Sequence, residues 1–202
     1  MSTSHHPVVL GVTGASGAIY SRRLLHVLLN TNCDVHLSMS PSGKAVFEQE
    51  LSESLDLDDF SIEQFLGTAT PLPGRLTYHH YKNLIAPIAS GSFLTSAMVI
   101  CPCSGSTLSA VTHAMGDNLI HRAAEVHLKE RRKLVVVPRE SPLSLPQLKN
   151  MQAIHEAGAV VLPASPGFYH KAETIDDLVN FVVSRICDQL NITNELIGRW
   201  GH

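Results

Sequence analysis

Four short stretches of this chain combine glycines, hydroxyls or an ion pair directly after an apolar run, where a ligand could be held. The first is Thr13-Gly14-Ala15-Ser16-Gly17-Ala18. A glycine-rich turn between a strand and a helix aims backbone N–H groups at an anion or a ring edge. The same turn could simply pack a helix on a strand. Its glycines recur every third residue, Gly11, Gly14 and Gly17, which is not the spacing of a dinucleotide site. Such a site also wants an acid after the second strand for the ribose hydroxyls. That position reads Leu37-Ser38-Met39-Ser40-Pro41, so a mononucleotide such as FMN fits better than NAD.

The second stretch is Cys101-Pro102-Cys103-Ser104-Gly105-Ser106-Thr107. Its hydroxyls and the first amides of a following helix would suit a phosphate at a positive helix end. Serine is equally a plain N-cap. The C-x-C pair has the wrong spacing for a zinc motif and reads as buried, inert thiols. The third is Pro138-Arg139-Glu140-Ser141-Pro142. Arg offers a planar fork for phosphate and Glu can move a proton; an ion pair closing the strand is the plainer reading. The fourth, Ala164-Ser165-Pro166-Gly167-Phe168-Tyr169-His170, is a rigid turn whose aromatic pair could wall a pocket. Arg185 falls in a helix rich in Val and Phe, where a charge needs a partner if buried. Trp200 stands in the tail, a position suited to docking on its own domain or on a neighbour. The 12 histidines are scattered without metal-ligand spacing, so no structural metal is expected.

These turns need a scaffold, and the apolar periodicity supplies one. Val8–Val12, Val35–Met39, Met98–Cys101, Leu134–Pro138 and Val160–Pro163 read as strands. Strands without polar alternation are buried on both faces, as in a parallel sheet. Between them, Ala18–Leu29, Gly43–Leu51, Ser104–His113, Asn118–Lys129, Leu145–Ala157 and Ile175–Leu190 read as helices. The alternation predicts one Rossmann-like, doubly wound α/β domain over residues 1–202, with a mostly parallel sheet flanked by helices. A tail over about 191–202 packs on the site or on a neighbouring subunit. Ser52–Ala86 breaks the rhythm and is read as an irregular excursion with a short helix and an extra strand. In such a sheet, ligands sit beyond the carboxyl ends of the strands, where the four stretches fall.

Length and composition agree. The 202 residues suit one domain with a full core. A net charge of −3 gives no reason to expect nucleic acid or an anionic membrane. No apolar run reaches ~18 residues and no signal peptide is seen. Four scattered cysteines point to a reducing, cytoplasmic setting.

Together the segments resemble the UbiX flavin prenyltransferases over nearly the whole chain. The matching stretches are Thr13–Ala18, Ala89-Ser90-Gly91-Ser92, Met98–Ala110, Asn118–Glu140, Pro166–His170 and Arg199-Trp200-Gly201. The resemblance implies FMN against Gly14, Ala15, Ser16, Ser40, Ser104, Gly105, Ser106, Thr107 and Arg139. It implies dimethylallyl monophosphate against Ser90, Arg122, Lys129, Glu140, Tyr169 and Arg185, with Trp200 near the prenyl chain. Ser16, Glu50, Glu140, Tyr169 and Trp200 would serve the chemistry, Glu50 as an active-site acid. The implied reaction alkylates reduced FMN at N5 and then C6, without metal, making prenylated FMN for a UbiD-type decarboxylase. The implied assembly is a dodecamer, with some phosphate ligands coming from a neighbouring subunit. Two other functions remain open on the same fold: FMN-dependent decarboxylation of cysteine-ended substrates, and non-enzymatic flavin carriage.

Overall fold

A computed structural model of the chain describes residues 6–198. Six parallel strands form one sheet: β1 (Val8–Val12), β2 (Asp34–Met39), β3 (Arg75–Tyr78), β4 (Ala97–Cys103), β5 (Lys133–Pro138) and β6 (Val160–Val161). Their order is β3-β2-β1-β4-β5-β6. The helices are α1 (Ala18–Asn30), α2 (Pro41–Leu51), α3 (Ile62–Leu66), α4 (Gly105–Thr112), α5 (Leu119–Lys129), α6 (Leu145–Glu156) and α7 (Ile175–Leu190). The chain belongs to the expected doubly wound class, and the excursion holds the expected short helix and strand.

Successive residues of the central strands serve opposite cores, which is why β1, β4 and β5 read as nearly unbroken apolar runs. Leu10, Leu37, Val99 and Val135 join one cluster with Leu24, Leu25 and Leu28 of α1 and Val182, Val183 and Ile186 of α7. Val9, Met98, Ile100 and Val136 join the other with α4 and α5. Cys101 faces the first cluster and Cys103 the second.

Caps set the helix starts. The Ser40 hydroxyl accepts from Gly43 N at 3.0 Å, and Pro41 takes the first helical position. Proline is favoured there because its missing N–H would be unpaired anyway, so α2 begins before Gly43. Ser104 is the cap of α4 rather than its first residue. The last strand is only Val160–Val161, shorter than its apolar run.

The adjacent histidines after β3 point to different partners. His79 is buried, with its Nε2 2.8 Å from His36 Nδ1, while His80 faces Asp58 at 3.5 Å. Burial, and secondarily His36, pushes His79 down to about 4. His36, His121 and His127 are also lowered by burial. As pH falls from about 6.5, the unfolded histidines bind protons that the folded ones refuse, so stability declines. For His79 the decline levels off below its folded value. The urea midpoint is therefore expected to drop between pH 7 and pH 5, and by less in His79→Phe. An equal drop in that variant would remove His79 from the account.

Candidate active site

In this strand order the chain doubles back at β1 and β4, and their C-terminal loops open a crevice between them. The glycine turn follows β1 and the serine-rich turn follows β4. Thr13 joins the two: its hydroxyl donates to Pro102 O at 2.8 Å and accepts from Ser104 N at 2.9 Å. A cavity of about 490 Å³ opens there. Its walls include Gly14, Ala15 and Ser16 of the first loop, Ser104, Gly105 and Ser106 of the second, and Arg139 and Glu140 after β5.

The glycine turn is held at a single peptide unit. Arg139 Nε donates to Ser16 O at 3.1 Å. From the other side, Glu50 accepts from Gly17 N at 2.9 and 3.1 Å and from Ala18 N at 2.8 Å. The carboxylate thus supplies the end cap that α1 lacks locally. Gly17 has φ +116°, a region that suits glycine. Tyr20 lies against it; burial raises that phenol, with Cys101 and Glu50 adding to the rise and Arg139 opposing it. Ser16 Oγ and the two terminal nitrogens of Arg139 have no protein hydrogen-bond partner among the described residues, so both remain available to a ligand.

Gly14 permits close contact with the start of α2. A Cβ there would lie 2.5 Å from Ser42 Cβ and 3.2 Å from the Ser42 carbonyl carbon. Gly14→Ala should therefore displace the turn and weaken flavin binding by about tenfold or more, about 1.4 kcal/mol. Ser42→Gly removes the nearest atoms and should recover part of it. Fluorescence titration of FMN with both variants checks this; wild-type affinity in Gly14→Ala would refute it.

The site residues fall into three groups. Gly14, Ala15, Ser16, Ser104, Gly105, Ser106, Arg139 and Glu140 line the cavity, with Glu50 behind the glycine turn. Ser40 and Thr107 do not: Ser40 caps α2, and Thr107 is buried with its hydroxyl 3.0 Å from Ser104 Oγ. The second group surrounds the turn before β4. Arg122 Nε donates to Ala89 O at 3.1 Å, and a Cβ on Gly91 would lie 3.0 Å from Lys129 Nζ, beside Ser90. The third spans the turn before α7 and α7 itself: Tyr169 of the turn meets Phe181 of the helix edge-on at 5.6 Å, and Phe181 stands one turn before Arg185. Arg185 is exposed, and its partner on the same helix is Asp188 at 2.9 Å. The buried stripe of α7 runs through Val182, Val183 and Ile186, and Arg185 lies off it. Trp200 lies outside the described residues.

Several cavity residues were missing from the sequence reading: Ser109, Ser144, Pro146, Gln147 and Asn150. Four of them belong to the start of α6 and its cap. The local signal was Ser144-Leu145-Pro146-Gln147, a capping box with Pro in the first turn.

An open parallel sheet with a polar, anion-ready crevice at its crossover defines a mononucleotide-binding α/β protein. Comparison with known proteins narrows the class. The flavoprotein family model matches residues 1–187. Flavin prenyltransferase UbiX of Alkalihalophilus pseudofirmus is 45% identical over 196 residues, 96% of each chain. Among solved structures, AnUbiX in complex with FMN and dimethylallyl pyrophosphate superposes with a TM-score of 0.86 at 35% identity, covering 98% of each chain. A dodecameric FMN-dependent UbiX-like decarboxylase from Escherichia coli gives 0.83 at 37% identity, covering 97% of this chain and 99% of that one. The chain belongs to the flavoprotein family and, within it, to the UbiX flavin prenyltransferases.

Proposed function

We propose that this protein joins the dimethylallyl group of dimethylallyl monophosphate to N5 and C6 of reduced FMN, making prenylated FMN for a UbiD-type decarboxylase. The observation that carries the reading is the cavity between the glycine turn and the Arg139-Glu140 pair, in a chain 45% identical to a flavin prenyltransferase. The residues suit FMN: Gly14 allows close approach, the α4 N-terminus offers amides, and Ser16 and the Arg139 fork are unclaimed. When bound, the reduced flavin supplies the two ring positions that are alkylated.

The chain's own groups supply the remainder. Arg139 can hold an anion bidentately with its free fork while its Nε fixes the turn. Glu140, at the cavity wall, can take up or return a proton. Ser104 and Ser106, 3.2 Å apart, offer hydroxyls at the positive end of α4. The cations at Arg122 and Lys129, and Tyr169 with Arg185, lie outside this cavity, which favours a site completed by neighbouring subunits in a dodecamer. Guanidinium and ammonium groups would then stabilise the departing phosphate in place of a metal. The decarboxylase alternative would call on an Asn-containing motif, where this chain has Pro138-Arg139-Glu140-Ser141-Pro142 after β5.

The test is anaerobic incubation with reduced FMN and dimethylallyl monophosphate in excess EDTA, followed by mass analysis of the released flavin. A gain of one five-carbon unit supports the proposal. Unaltered FMN mass refutes it, and carbon dioxide from a cysteine-ended peptide would favour the alternative.

Arg185→Ala and Tyr169→Phe are expected to raise the KM for the isoprenyl phosphate about tenfold, the size of one charge-assisted contact, with FMN affinity unchanged. Arg185→Lys should rescue incompletely, because a point charge does not reproduce the fork. The Arg185–Asp188 pair is exposed, so its loss should barely move the melting temperature. A large melting loss with unchanged KM would make Arg185 structural.

A further inference from the structure

We infer that Gln147 is a positioning residue for Glu140, and that Gly105 is glycine partly to leave it room. The inference rests on Glu140 acting in the reaction as proposed above. Glu140 is exposed, yet its carboxylate is anchored. Oε1 accepts from Ser141 N at 3.3 Å and Oε2 from Gln147 Nε2 at 3.1 Å.

The orientation of the Gln147 amide is fixed by chemistry. Its Oε1 lies 2.8 Å from Ser144 N and 3.0 Å from Ser144 Oγ. A backbone N–H only donates, so the carbonyl must face Ser144 and the NH₂ must face Glu140. The capping box of α6 thereby sets the direction of the donor. A neutral donor fixes the carboxylate without placing a second charge beside it, as an arginine there would. Arg139, next in sequence, commits only its Nε, to Ser16 O. Among the described cavity-lining residues Arg139 is the other charged group; those from α4 and α6 are neutral. The second Nε2 hydrogen has no protein acceptor among the described residues. Nε2 would lie 3.0 Å from a Cβ placed on Gly105, so any larger residue there would press on this amide.

The informative variant is Gln147→Glu. Glu is as good as Gln at this position of a capping box, so α6 and the melting temperature should be preserved. The donor is replaced by a carboxylate facing Glu140, and like charges raise the pKa. If Glu140 works as a base, the acidic limb of the kcat profile should move up by about one unit, so that kcat at a given pH on that limb falls about tenfold and recovers as pH rises above it. FMN affinity and the KM for the isoprenyl phosphate should change less than twofold. Gly105→Ala should lower kcat in the same direction, and Gln147→Met should lower it without moving the limb upward.

An unshifted profile with wild-type kcat in Gln147→Glu overturns the inference. Glu140→Gln keeps the two failures apart. If it is impaired while Gln147→Glu is normal, only the role of Gln147 falls. If Glu140→Gln is itself fully active, the proposed role of Glu140 falls first.

Discussion

A Glu140→Gln protein is expected to retain FMN with near wild-type affinity and to alkylate it about 10²–10⁴-fold more slowly, the usual worth of a positioned proton-transfer group. Gln matches Glu in size, and its carbonyl oxygen can still accept from Gln147 or Ser141 N. The Arg139 contact to Ser16 O does not involve Glu140, so the glycine turn should stay in place. What is lost is the charge and the ability to carry a proton. An interaction needed only in the transition state lowers kcat and leaves ground-state binding largely alone. Single-turnover kinetics with pre-bound reduced FMN, alongside a flavin titration, separate the two. Loss of FMN with full turnover at saturation would assign Glu140 to binding instead.

The second large effect is expected at Glu50. Its carboxylate takes two amide donors, Gly17 N and Ala18 N, while Arg139 holds the carbonyl of the same Ser16–Gly17 peptide. Glu50→Ala releases one end of this clamp. Hydrogen bonds to a charged acceptor contribute about 1.5–3 kcal/mol, which for a chain of this length is a melting loss of about 3–10 °C. Freed of its anchor, Ser16 should lose its geometry, and misplacement by an ångström costs about 100-fold in rate. Glu50→Gln decides what the carboxylate does. One oxygen already accepts from both amides, so an amide oxygen there can keep most of the clamp. If Glu50 acts mainly as anchor, Gln restores stability and most of the rate. A Gln variant as slow as Ala, yet fully stable, would show the acid itself at work.

How much of this was readable beforehand depended on whether the signal was local. Strands β1, β4 and β5 were plain because both faces are buried and nearly every position is apolar. Caps such as Ser104 and Thr174 lie beside the helices they start, and their effect is nearly a property of the dipeptide. The Glu50 contact spans 33 residues to Gly17, and nothing in Gln49-Glu50-Leu51 says that an acid will reach the first turn of another helix. Gln147 was hidden for the same reason: the packing of α6 beside α4 brings it to the cavity. The exposure of Arg185 was settled by phase rather than by composition. Its helix is apolar on average, but burial follows phase around the axis, and the stripe through Val182 and Ile186 turns Arg185 outward.

The two cysteines that end β4 acquire a meaning from the chemistry proposed above them. An allylic phosphate whose leaving group is being stabilised is an alkylating agent, and sulfur is ordinarily the best nucleophile in a protein. Only the thiolate attacks well. Burial pushes Cys103 up to about 12 and Cys101 higher still, so at neutral pH both stay protonated as well as enclosed. A strand that could have offered the electrophile a competing target instead withholds both of its thiols and leaves the flavin as the better acceptor.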